Sequence, residues 1–383
     1  MPARTPLGAL PALFSAAFTA VMTELLPAGL LPHISHDLHT SPAATGHLVT
    51  GYAITSCAAA IPITAALRSL PRRPVLLTTL AGFAACNLIT ALSDTYALTF
   101  AARLLAGALG GTLWAMLVGY ATRIVAPTHR GRAIAIVSAG ITIALCAGIP
   151  AGTALADLYG WRATFAALAV LSLLITAWTR WQVPPLPGDQ TTSHRPSLRQ
   201  VSHLPGIRRV LTLTAVVLLG HQTMYTYIAP YTQHTGGRTD LTLLVFGLAT
   251  VAGILITGAL VDHHPRAALT TALVLLTAAM LTLALTPAAV LIAAAVWGTA
   301  FGAAPTLLQA ALVSASGPRH ADLATAMQTT VYNLGIAAGS LTGGLVLDHA
   351  GPAALPWAAL AILALTWRIL PTVTYTRSPA ATT

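Results

Sequence analysis

One glutamate, Glu24, stands in a chain of 383 residues, inside the apolar stretch Leu10 to Leu31. A carboxylate in hydrocarbon is costly to keep charged, so an acid at that depth marks a functional site unless its side chain can reach water near a helix end. Glu24 lies too far from either end of its stretch for that escape to be comfortable. Arg103, in RLLAGALGG (103–111), is the one arginine well inside an apolar stretch. A guanidinium does not readily shed its proton, so there it needs a carboxylate or several carbonyl oxygens. An acid that takes a proton at one face and loses it at the other can couple movement to a proton gradient. The competing reading of Arg103 is a structural cap on backbone carbonyls.

Other polar or aromatic groups fall within apolar stretches: Tyr52, Trp114, His221, Gln222, Tyr225, Tyr227, Trp297, Gln309, Tyr332 and Asn333. Such groups orient a ligand in an apolar cavity. His221 has two readings, a substrate or proton group and a neutral, hydrogen-bonded interior histidine. His33, His36 and His39 cluster with Asp37, a spacing that could suit a metal. A histidine-rich outer loop without metal is the expectation, with Asp37 a solvated loop residue or a helix cap. Cys57, Cys86 and Cys146 lie in apolar stretches and read as small core residues. Neither H-E-x-x-H nor G-x-S-x-G occurs and acids are few, so an intramembrane enzyme is set aside and no catalytic residue or cofactor is expected.

These residues need elements that cross a bilayer. Apolar residues make up 56% of the chain and charged ones 7%, too few charges to cover a soluble domain of this length. The spacing predicts twelve spans of roughly 20 residues, at 9–31, 45–67, 75–93, 97–122, 133–155, 162–181, 209–232, 240–261, 267–285, 287–315, 323–347 and 353–370. The run from the N-terminus to Leu31 is too long for a signal h-region and reads as an uncleaved first span. Between spans six and seven, PPLPGDQTTSHRPSLRQ (184–200) is polar, basic and proline-rich, a linker. All 19 basic residues are arginine, and all but Arg103, Arg162 and Arg238 fall on one side of the predicted spans. Positive loops face the cytoplasm, which places both termini there. The basic balance therefore belongs to short loops and does not call for nucleic acid. The halves also repeat at an offset of 191: Gly107, Gly111, Gly148, Gly152, Asp157 and Gly160 match Gly298, Gly302, Gly339, Gly343, Asp348 and Gly351. A six-plus-six repeat is the pattern of transporters that rock two bundles about a midplane site.

Four strings carry a family resemblance: TELLPAGLLPHISHDL (23–38), GIPAGTALADLYGWRATF (148–165), YTYIAPY (225–231) and the pair Asn333 and Gly335. In that order they resemble the major facilitator superfamily, in its twelve-span drug:proton antiporter branch, and most nearly the arabinose-efflux, sugar-efflux and chloramphenicol-exporter group. The resemblance implies proton coupling for Glu24 and Arg103. For the fifth-span residues Gly140, Gly148, Pro150 and Gly152 it implies a seal against leak in one conformation. The superfamily's cytoplasmic-loop motif keeps its spacing at Gly258, Asp262 and Arg266. The first-half counterpart, LRSLPRRP (67–74), keeps Arg72 and Arg73 and lacks the acid.

The expectation is an all-α membrane protein of twelve transmembrane helices in two pseudo-symmetric six-helix bundles, 1–181 and 209–383, joined by a cytoplasmic linker, 182–208. Its expected activity is proton-coupled export of a small organic molecule, a drug or antibiotic, by alternating access. Efflux of a sugar, nucleoside or other metabolite, and a passive facilitator, are the alternatives. Tyr52, Trp114, His221, Gln222, Tyr225, Trp297, Gln309 and Asn333 are the substrate-site candidates. Protons are the coupling ion, the inner membrane the location, and the monomer the working unit.

Overall fold

In hydrocarbon each backbone N–H and C=O must find a partner within the chain, which restricts spanning elements to helices and closed barrels. The fold is given by a computed structural model, which describes residues 8–67, 69–126, 129–188, 201–260, 264–317 and 320–370. All regular structure among the described residues is helical. The first four rods are α1 (Ala9–Asp37), α2 (Pro42–Ala66), α3 (Arg72–Leu92) and α4 (Tyr96–Arg123). The fifth consists of α5 (Arg130–Ile143), a π turn (Ala144–Gly148) and α6 (Ile149–Tyr159). The sixth is α7 (Trp161–Gln182). The seventh is broken into α8 (Ile207–Tyr225) and α9 (Ile228–His234). Then follow α10 (Thr239–Leu260), α11 (Pro265–Leu285), α12 (Val290–Ser316) and α13 (Ala321–Ala350). The twelfth is α14 (Leu355–Ala364) with α15 (Thr366–Ile369).

Among the described residues, ten helical stretches are long and apolar enough to cross a membrane. Leu92, Leu105, Leu174, Leu255, Ile292 and Leu345 are all more than half exposed on the outer faces. So much exposed aliphatic surface suits lipid and not water.

Local chemistry sets the rod ends. The Ser41 hydroxyl accepts from Ala44 N–H at the start of α2, and Thr95 accepts from Leu98 N–H at the start of α4. Gly160, between α6 and α7, has φ 83° and ψ 154°; Gly351, after α13, has φ 77° and ψ 174°. That region is open essentially to glycine alone. The two glycines are 191 residues apart, so the sequence repeat is also a repeat of turn geometry.

The repeat extends to packing. A Cβ on Gly107 or Gly111 would stand 2.2 Å from the Tyr52 or Ser56 carbonyl oxygen of α2. Their counterparts Gly298 and Gly302 stand in the same relation to Phe246 and Thr250 of α10, again at 2.2 Å. Without a hydrophobic force between helices in lipid, such close backbone approach is a main source of association.

The apolar core is divided along the rods. Residues of the first six rods near the end where α1 stops, among them Leu26, Leu30, Ile34 and Trp161, share one core with the last six. At the opposite end, Ala9, Leu13, Leu80 and Leu117 belong to a second core built from the first six rods alone. The two groups of rods are thus joined at the end distant from the linker, here called the far end, and hold separate cores at the linker end.

Replacing Gly111 or Gly302 with valine should force α2 from α4, or α10 from α12. Overpacking of this kind costs about 1–3 kcal/mol. Each variant should melt below the parent in detergent, whereas Gly258→Ala, with nothing within 4 Å of its Cβ position, should melt with it.

Candidate functional site

Glu24 owes its setting to a proline. Pro27 has no N–H, so the Thr23 carbonyl four residues earlier loses its helical donor. Arg103 of α4 fills the gap: its Nη1 donates to the Thr23 carbonyl and its Nη2 to the Glu24 carbonyl at 3.0 Å. Its Nε donates to the Leu48 carbonyl of α2 at 3.4 Å. The guanidinium lies over the Tyr52 ring, 4.8 Å from the centroid, a cation–π contact. Of the two partners open to it by sequence, Arg103 takes the carbonyls.

Around this cap lie the other polar groups. Asn87 of α3 donates to the Thr23 hydroxyl at 3.0 Å. The Trp114 indole neighbours the Glu24 carboxylate. Glu24 is 7% exposed, Arg103 1% and Tyr52 not at all. The Tyr52 hydroxyl has no hydrogen-bond partner. Glu24, Arg103, Tyr52 and Trp114 therefore come together from α1, α2 and α4. Asn87 and Thr23 join them without having been singled out in the sequence. A lone asparagine in the apolar run of α3, and a proline four residues after Thr23, were the available signals.

A second buried cluster forms around His221 of α8. Its ring stacks on Phe301 with centroids 3.5 Å apart and an interplanar angle of 9°. Tyr225, Trp297 and Phe246 complete the cluster at 5.2, 5.3 and 6.0 Å. Trp297 Nε1–H donates to His221 Nδ1 at 3.0 Å. An imidazolium carries a proton on both nitrogens, so a ring nitrogen that accepts belongs to the neutral form. This is the hydrogen-bonded interior histidine of the two sequence readings. Phe246 and Phe301 were not among the candidates, as phenylalanine in an apolar span gives no signal.

The remaining candidates scatter. Gln222 donates to the Thr226 hydroxyl and Asn333 to the Thr329 carbonyl, each within its own rod. Gln309 is exposed on α12. Gly258 and Arg266 are exposed, and Asp262 lies outside the described residues. His33 pairs with Asp157 at 3.2 Å and His36 with Asp37 at 3.4 Å. Asp37 also accepts from Trp161 Nε1 and Arg162 Nη1, so it ties the end of α1 to α7.

The fifth-span motif sits where the two groups of rods meet. Pro150 removes the donor for the Cys146 carbonyl, and the π turn lies just before it. A Cβ on Gly247 of α10 would stand 2.2 Å from Cys146 Cα, so α10 crosses directly over this turn. Gly148 and Gly152 face Met22 and Leu26 of α1 on the other side. A second crossing joins α2 to the seventh and eleventh rods. Tyr227 Oη donates to the Ser340 carbonyl at 2.9 Å, and Ser340 Oγ to the Gly46 carbonyl at 3.1 Å.

Twelve rods, a repeated glycine scaffold and a buried charged cap now stand together, and the family model described as the Major Facilitator Superfamily matches residues 13–340 and 238–383. The chain belongs to the major facilitator superfamily. It is a multi-pass integral membrane protein and a transporter rather than an enzyme. Among solved structures it is similar to the human organic anion transporter MFSD10 (TETRAN), with 17% identity, a TM-score of 0.70, and coverage of 96% of this chain and 100% of that one. It is also similar to a bacterial homologue of the human lysosomal transporter Spinster in an inward-facing and unoccupied conformation. That match has 16% identity, a TM-score of 0.71, and coverage of 95% and 93%. At these identities the likeness is one of fold.

The cap assignment has a two-variant test. In Arg103→Lys a single ammonium replaces the planar fork and should leave at least one carbonyl unpaired, at about 1–3 kcal/mol. Adding Pro27→Ala returns a helical donor to Thr23, so the double variant should melt above Arg103→Lys alone. Equal or lower melting of the double variant would refute the cap.

Proposed function

We propose that this transporter is a proton-coupled antiporter of the drug:proton antiporter branch, exporting a small organic molecule from the cytoplasm by alternating access. The observation that carries this reading is the placement of Glu24. The chain's only glutamate is buried in α1 beside an arginine whose donors are committed to carbonyls. The carboxylate keeps no contact ion pair with that arginine, so it is available to exchange a proton. Protonation removes a charge that opposes reorientation of the cavity, and substrate and proton compete for the site.

Arg103 is then a positioning residue for Glu24. The first and last six rods are the two moving units, with 182–208 as the linker. Arginine distribution supports a cytoplasmic linker end with both termini, in the inner membrane. The far-end arginines fit this orientation, because Arg162 is paired with Asp37 and Asp94, and Arg238 with Asp240. The protein works as a monomer with protons as its coupling ion and needs no other cofactor. Trp114, Trp297, Tyr225, Gln222, Gln309 and Asn333 are the groups from which the substrate contacts are drawn. One acid, a committed Arg103 and a neutral His221 favour a neutral or weakly cationic substrate over an organic anion.

Glu24→Gln tests the coupling. In vesicles under an imposed pH gradient the variant should lose at least about tenfold in driven efflux while thermal-shift binding of substrate persists. Undiminished driven efflux would rule out the coupling role and leave a facilitator that does not use the acid.

A further inference from the structure

The linker end of the molecule is strongly cationic. Sixteen arginines lie on that side of the spans against three acids, Asp189, Asp262 and Asp322. At the start of α8 this charge borders a hollow of about 250 Å³, lined among others by His203, Pro205, Gly206, Arg208 and Arg209. The hollow exists because the chain folds back before the helix. Gly206 has φ 88° and ψ −28°, a left-handed turn, and Val201 is buried on its far side.

The fold holds Arg208 in one orientation. Its Nε donates to the Ser202 carbonyl at 3.0 Å and its Nη2 to His203 Nε2 at 2.9 Å. Both acceptors are neutral, since an imidazole nitrogen that accepts carries no proton. No acid among the described residues pairs with Arg208. The two bonds occupy one edge of the guanidinium. The edge at Nη1 keeps a planar pair of N–H groups, the geometry that grips two phosphate oxygens at once.

Depth decides where such a phosphate comes from. Exposed aromatic side chains mark the head-group levels of a bilayer. Tyr159 and Trp357 stand exposed at the far end, and Trp181 and Trp367 at the linker end. Trp367 and the exposed Arg368 lie on α15, which packs against α8. The hollow is therefore level with lipid head groups.

We propose that this hollow binds the phosphate of an anionic phospholipid, with Arg208 as the fork and Arg209 as a second positive charge. The lipid would pin the start of the seventh rod, where the linker ends, to the membrane surface. The site takes no part in proton exchange, so its test stands apart from that of Glu24.

Native mass spectrometry of the detergent-purified, full-length protein supplies the test, with phosphatidylglycerol and phosphatidylcholine as probes. The readout is the ratio of the two lipids retained by one and the same variant, so a change in folding cancels. The parent should prefer phosphatidylglycerol, and Arg208→Gln and Arg209→Gln should each lower the preference about fivefold, the share of one arginine at an anionic surface. Arg208→Lys keeps the charge without the fork and should fall between the parent and Arg208→Gln. Arg123→Gln removes an exposed arginine of the same end outside the hollow and should leave the preference unchanged. Millimolar inorganic phosphate should not displace the lipid. Equal retention of the two lipids by the parent, or a loss in Arg123→Gln equal to that in Arg208→Gln, would overturn the site. Displacement by inorganic phosphate would overturn the lipid as its occupant.

Discussion

The Thr23 carbonyl is the group on which the site turns. A backbone acceptor at membrane depth cannot be left bare, and Pro27 removes its usual donor. The chain answers with the guanidinium of Arg103, reaching across from α4. One interaction thus does two things. It completes a broken helix, and it places a permanent positive charge beside the only glutamate. Because the donors are committed to the backbone, the charge biases Glu24 without neutralising it by contact. A lysine would supply the charge and not the geometry, since three carbonyls on two helices call for a planar fork.

Scaffold and chemistry follow different symmetries. The glycines that bring α4 onto α2 and α12 onto α10 repeat at one offset, as do the turn glycines Gly160 and Gly351. The buried side chains between them do not. The first half holds Glu24, Arg103, Asn87 and Tyr52; the second holds a histidine locked among Phe301, Phe246, Tyr225 and Trp297. Packing repeats because both halves face the same geometric problem of close helix crossing in lipid. Charge need not repeat, because each further buried charge in hydrocarbon is costly.

Much of this was legible in the sequence. Glu24 and Arg103 stood out because a charge in an apolar run has no local explanation. The span pattern, the break before Ile207 and the glycine repeat followed from composition and spacing. What Arg103 would bind was not legible, because the carbonyls of residues 23, 24 and 48 become neighbours only once α1, α2 and α4 pack. The scattering of Gln222, Gln309 and Asn333 has the same cause: residue type says that a group is polar in a span, and only helix rotation decides whether it faces its own backbone or the opposite rods. The break in the seventh rod was also missed, although Pro230 leaves the Thr226 carbonyl without its helical donor at that point.

The division of the core constrains how the molecule can move. At the linker end the first six rods bury their apolar groups among themselves, so that core survives separation from the last six. At the far end the core is shared, and opening there must uncover apolar surface around Leu30 and Ile34. Burial therefore favours the closed far end, and by an amount that grows with the area shared. The close crossings between the groups fall at glycines: Gly29 against Leu243, Gly247 over the π turn, Gly46 beneath the Tyr227 ring. At each of them the missing side chain makes room for the opposite group, for backbone at Gly247 and for a side chain at Gly29 and Gly46, so the shared area depends on glycine at these three positions.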